Sequence, residues 1–182
     1  MFHLTSRSLL LSTASNTDYS GIAGTTSEGA QIRIGAVNGI RFITSVDAEL
    51  VETAKQEGYT VTMGTIIAPA DAEASLFTVE GALAKTISEG YYNENSGQIA
   101  GSLVNIKAKN ISRTFAARGF VTLTKGGNST TYYSDINEGR SLQGVAATCK
   151  AESGSPNSFY DSLSDTQKAM VDAWAQGNAY TA

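Results

Sequence analysis

The side chains that carry most protein chemistry are scarce in this chain. Its 182 residues hold one histidine, His3, and one cysteine, Cys149. A hydrolytic triad needs a base, usually histidine, and His3 stands in a polar N-terminal stretch. Zinc sites draw on several His and Cys ligands together, so the count leaves no metal centre of that kind. A lone cysteine forms no intrachain disulfide. Carboxylate pairs remain, Asp71 with Glu73 and Asp161 with Asp165. Two carboxylates can run glycoside hydrolysis when a protected cleft perturbs them. Both pairs sit in strongly polar segments, so solvated surface is the expectation. No glycine pattern of a phosphate loop and no calcium-loop spacing occurs. The residues therefore predict a protein that is not an enzyme, with no catalytic residues, no metal and no cofactor.

Charge is sparse and segregated. Charged residues make up 16% of the chain, against about 25% in an average protein, while Ser and Thr number 20 each beside 18 Gly. The net charge of −4 argues against general nucleic-acid binding. Between Glu94 and Asp135 there is no acidic residue, yet Lys107, Lys109, Arg113, Arg118 and Lys125 all fall there, a net +5 set in a remainder of −9. Lys107, Lys109 and Arg113 share parity, so on a continuous strand they would line one face. Such a stripe either protects a sheet edge with charge or docks on an acidic surface such as residues 47–57 of a neighbouring copy. Tyr91 and Tyr92, in the polar loop SEGYYNENSGQ, are the candidate exposed aromatics for contact with a glycan or protein.

These residues need elements to position them. Residues 1–29 lack periodicity and read as an N-terminal arm, with Leu4, Leu9, Leu10 and Leu11 as apolar points for contact with a neighbour. Fully extended, such an arm would span about 90 Å at ~3.3 Å per residue. The three leucines fall short of the 7–15 apolar residues of a secretory signal, and no run approaches the 18 of a membrane span. A single domain is expected over residues 30–182. Alternation over Gln31–Ile34 and Ile40–Val46 around Asn38-Gly39 predicts a hairpin. Asp47 reads as an N-cap for a short helix that Gly58 stops, and a strand over residues 59–67 ends at Pro69. Short helices are expected at 72–76 and 82–87. A long strand region from Ile111 to Leu123 turns at Lys125-Gly126-Gly127-Asn128 into a second hairpin. Helical spacing of Leu142, Val145, Ala146 and Cys149 makes the cysteine a small buried hydrophobe. Ser164-Asp165-Thr166-Gln167 matches a capping box before a last helix bearing Met170, Val171 and Trp174. The sum is an α+β fold, antiparallel β-sheets in a sandwich-like arrangement with short inserted helices and two C-terminal helices.

The order of several short motifs resembles a poorly characterised domain that recurs in large surface proteins of anaerobic gut bacteria, often beside immunoglobulin-like modules. These are Gly39-Ile40-Arg41-Phe42, Met63-Gly64-Thr65-Ile66-Ile67-Ala68-Pro69, Phe115-Ala116-Ala117-Arg118-Gly119-Phe120-Val121, Tyr133-Ser134 and Leu163-Ser164-Asp165, spread over roughly residues 30–175. The resemblance implies surface display and a binding or scaffolding role. With no signal, anchor or second module seen, the expectation is a phage virion component of the capsid-decoration or head-fibre type, exposed on the virion surface and assembling through its arm. Its partners would be copies of itself or a capsid or surface lattice, with neither nucleic acid nor membrane. A bacterial cell-surface adhesion or glycan-binding module is the alternative.

Overall fold

A computed structural model describes residues 17–180, apart from 28, 83, 84 and 88–91, and for 85–87 the backbone alone. The expected α+β architecture is present: two four-stranded antiparallel sheets, a helix between strands, and two C-terminal helices. In the first sheet β3 (Gly39–Val46) pairs along its whole length with β6 (Gln98–Val104). Its other edge takes β1 (Ala23–Thr26) at one end and β2 (Gln31–Arg33) at the other. The second sheet runs β5 (Lys85–Ile87), β4 (Thr60–Pro69), β7 (Phe115–Lys125), β8 (Asn128–Tyr133).

The first hairpin forms but does not turn at Asn38-Gly39: residues 34–38 connect its strands, and Gly39 opens β3 opposite Arg33, where a Cβ would meet the Leu103 carbonyl of β6. The second follows from local chemistry. The β7–β8 turn is Gly126-Gly127, with φ of 59° and 82°, the double left-handed conformation that matches the twist of a two-residue hairpin. Helix α1 (Ala48–Gln56) begins where the Asp47 carboxylate accepts from the amides of Glu49 and Leu50, both at 3.0 Å. Helix α2 (Leu142–Ala151) is capped by Ser141, and α3 (Asp165–Ala175) carries the full capping box of Ser164 and Gln167. Cys149 is buried on the inner face of α2, as its helical spacing predicts.

The sheets face each other across a core that is split in two. At one end Ile40, Phe42, Ile67 and Ala117 pack beneath α2 and α3 with Leu142, Val171 and Trp174. At the other, Val46, Met63, Ile99 and Val121 pack with Tyr19, Ile22 and Val51. Burying each of the larger side chains contributes about 1.5–3 kcal/mol. Between the halves is a waist where the sheets nearly touch. Thr44 of β3 lies against Gly119 of β7, and Thr65 of β4 lies against Gly101 of β6. A third cluster, Ile66, Ala68, Ala116 and Phe120, lies on the outer face of the second sheet beneath Phe77.

Four further expectations are corrected. Tyr19, Ile22 and Ala23 are buried and β1 joins the sheet, so the folded domain takes in residues assigned to the 1–29 arm. Their apolar side chains are too sparse to show periodicity but reach a core made by distant strands. Residues 85–87 form strand β5, not helix, because the open edge of β4 supplies main-chain partners. Residues 72–76 supply only the start of a 3-10 turn, Ala74–Phe77. Lys107, Lys109 and Arg113 share no strand: β6 ends at Val104, a 3-10 turn covers Ala108–Asn110, and β7 starts at Phe115.

Candidate functional site

The antiparallel pairing assigns the charged segments to opposite ends of the sandwich. Gly39 of β3 is opposite Val104 of β6, so the turn bearing Lys107 and Lys109 projects from the end where β3 begins. Helix α1 follows Val46, at the end where β3 finishes. Eight strand residues separate the two, about 26 Å at ~3.3 Å per residue. Around α1 lie Asp18, Asp47, Glu49, Glu52, Glu57 and Glu94, with Lys55 held by Glu94 at 3.2 Å and Glu52 at 4.0 Å.

The five cations of the +5 segment do different work. Arg118 lies 4.5 Å from the Tyr133 ring centre and its Nε donates to the Ser134 carbonyl at 2.7 Å. Lys125 sits over Tyr59 and donates to the Glu57 carbonyl at 2.6 Å. Arg113 meets Asp71 at 3.4 Å in an exposed pair, an arrangement worth at most about 1 kcal/mol. Lys107 and Lys109 are exposed, and among the described residues neither has a carboxylate within ion-pair distance. The stripe thus reduces to two free cations on one turn.

Leu4, Leu9, Leu10, Leu11 and Tyr91 lie outside the described residues. Tyr92 departs from the exposed aromatic expected: it is half-buried against the core half that holds Val46, Met63 and Ile99, and burial pushes its phenol above the usual range. The carboxylate pairs do not form a cleft. Asp71 bonds Arg113. Asp161 accepts from the Gly154 amide at 2.6 Å and the Ser153 hydroxyl at 2.7 Å, which hold its carboxyl below the usual range. Burial pushes the Cys149 thiol up, which disfavours the reactive thiolate. Among the described residues no three His, Cys, Asp or Glu side chains come together as a metal site, and no helix is long and apolar enough to cross a membrane.

One feature lay beyond sequence reasoning. A groove of about 570 Å³ opens between β2 and α2, lined on one side by Arg33, Ile34 and Arg41 and on the other by Val145, Thr148 and Glu152, with Phe159 at its rim. Phe159 is 45% exposed, one of two large hydrophobic side chains so placed among the described residues. Arg41 donates through Nη2 to Gln31 Oε1 at 2.8 Å, while its buried Nε has no hydrogen-bond partner among the described residues. Alternation in Gln31-Ile32-Arg33 foretold the outward arginine; the return of α2 over the strand edge has no local signal.

No family model matches the chain, and neither the curated proteins nor the solved structures contain a match.

Proposed function

We propose that the chain is a non-enzymatic structural protein that joins a larger assembly through its N-terminal arm and its two unlike ends, as a phage virion component of the capsid-decoration or head-fibre kind. The observation that supports assembly is the placement of Lys107 and Lys109, unpaired among the described residues, at one end and the acidic surround of α1 at the other. Contact between unlike ends of successive copies is heterologous, and such contacts propagate into rings or filaments. Exposed charges there orient and steer copies more than they bind them, so affinity must come from elsewhere, and the arm is the element assigned to it. The virion setting draws on the low charge and the Ser/Thr-rich composition, which suit a repeated exposed surface.

Light scattering coupled to size exclusion, with electron microscopy of the same fractions, tests the assembly. The wild-type chain is expected to form species larger than a monomer, and Lys107→Glu with Lys109→Glu to shift them at least severalfold toward monomer with an unchanged melting curve. A wild-type monomer at all concentrations, or assembly indifferent to both substitutions, overturns the charged-end contact. Peptides of the chain in banded phage particles support the virion setting, and their recovery in a cell-envelope fraction instead favours the adhesion module.

A further inference from the structure

The groove beside β2 has the form of a receptor for an extended segment. Strand β2 pairs with β3 on one edge, and among the described residues no strand pairs with its other edge. Residues 30–34 all line the groove. Side chains alternate along a strand, so lining by all three residues of β2 and by the residue on either side of it means that the strand's edge borders the opening rather than one face. An exposed edge accepts a further strand through main-chain hydrogen bonds, with alternate side chains seated in pockets.

We propose that this groove receives residues 4–11 from the arm of a second copy, an inference that rests on the assembly reading above. The chain enters the described structure at Thr17, whose hydroxyl donates to Glu57 Oε1 at 2.7 Å, beside α1. The groove belongs to the other end, where β2 meets Gly39–Arg41 of β3. Along the chain's own sheet edge, the way from α1 to β2 is taken. β1 occupies the first part, and the segment after β8 bonds the junction, Ser134 Oγ to Thr26 Oγ1 at 2.7 Å and Asn137 Nδ2 to the Ser27 carbonyl at 2.8 Å. In a head-to-tail stack, an arm leaving the α1 end of one copy emerges beside β2 of the next. Leu11 is six residues from Thr17 and within about 20 Å of it, and Leu4 within about 43 Å. Arg7, Leu9 and Leu11 share parity and so one face of an extended segment. The leucines match Val145 and Phe159, and Arg7 matches the carboxylate of Glu152 on the groove's far wall.

Two single-cysteine full-length chains test this. One carries Leu9→Cys with Cys149→Ala. The other carries Thr148→Cys, at an exposed groove position, with Cys149→Ala and a size tag. Mixed and mildly oxidised, they are expected to give a disulfide heterodimer about tenfold in excess of either homodimer, because docking raises the effective concentration of the paired thiols. Heterodimer no more abundant than the homodimers overturns the proposal, as does an excess that survives Glu152→Arg together with Phe159→Asp in the tagged chain. Repeating the mixture with Lys107→Glu and Lys109→Glu in both chains separates the two readings. A persistent heterodimer leaves the groove as the arm's receptor even where the charged ends make no contact. Its loss only in that background assigns the failure to the ends.

Discussion

Two contacts at the waist of the sandwich have nearly the same chemistry and differ in one hydrogen bond. In each, a threonine of one sheet presses on a glycine of the other: Thr44 on Gly119 and Thr65 on Gly101. The glycines have no Cβ, and this lets the backbones approach. The Thr44 hydroxyl bonds Thr26 Oγ1 at 2.8 Å, and Thr26 in turn bonds Ser134 Oγ at 2.7 Å. The Gly119 amide points into the same group, 2.9 Å from Ser134 Oγ and 3.1 Å from Thr26 Oγ1. The Thr65 hydroxyl is equally buried and has no hydrogen-bond partner among the described residues. One contact therefore closes the sandwich and also satisfies the β7 amide beyond the last β8 pairing; the other supplies shape alone.

The largest effect should come from filling the waist. A Cβ at Gly101 would fall on the Thr65 Cβ, and one at Gly119 would lie 2.7 Å from the Thr44 Cβ. Side-chain rotation moves neither Cβ, so the sheets would have to part. We expect Gly101→Ala and Gly119→Ala each to cost about 3 kcal/mol, the upper part of the range for overpacking, read as a fall in urea midpoint. Thr65→Gly should restore part of the loss in Gly101→Ala and none in Gly119→Ala. Equal rescue of both would mean that Thr65 does not press on Gly101 alone.

Replacing each threonine with the nearly isosteric valine isolates the hydrogen bond. Thr44→Val removes a bonded hydroxyl and leaves Thr26 with one partner fewer, at a cost of about 1 kcal/mol. Thr65→Val removes a buried hydroxyl that has no partner among the described residues, so it should be neutral or stabilising by up to about 1 kcal/mol, since the desolvation of that group is no longer required. Denaturant melts of both variants measure the difference, and Thr65→Val as costly as Thr44→Val would show that Thr65 has a partner after all.

What could be read ahead of the structure was local. The Asp47 and Ser164 caps, the Gly126-Gly127 turn and the buried face of α2 each depend on residues within a few positions of one another, and all appear where spacing places them. Gly101 and Gly119 carried half a signal: glycine inside a strand marks close approach, but the threonine on the opposite sheet is 36 residues from Gly101 and 75 from Gly119. The uninterrupted burial of Met63–Ala68 has the same origin, because Phe77 covers the outer face of β4 while the core covers the inner one. The +5 segment was visible as composition. Its division into Arg118 and Lys125 in packing roles, Arg113 in an exposed pair and two free lysines depended on where β6 stops. The groove beside β2 exists because a helix 110 residues further on returns to that edge.

The smallest effect uses pH to separate the hydroxyl network from the charged clamp between α2 and α3. Asp172 accepts from Lys150 Nζ at 3.0 Å and from the Tyr160 hydroxyl at 2.8 Å. The lysine first, and then the phenol, hold its carboxyl below the usual range. A carboxylate whose folded pKa is depressed binds fewer protons folded than unfolded. Its stabilisation is therefore present above the unfolded value of about 3.9 and fades as pH falls through the lower folded value. Asp172→Asn should destabilise at pH 7 and by less at pH 3, which is below the unfolded value. The threonine hydroxyls do not titrate, so the gap between Thr44→Val and wild type should be the same at both pH values. Melts of these two variants at pH 7 and pH 3 check both. A Thr44→Val cost that shrinks in acid along with that of Asp172→Asn would mean that the waist is held through a charged group rather than by its hydroxyls.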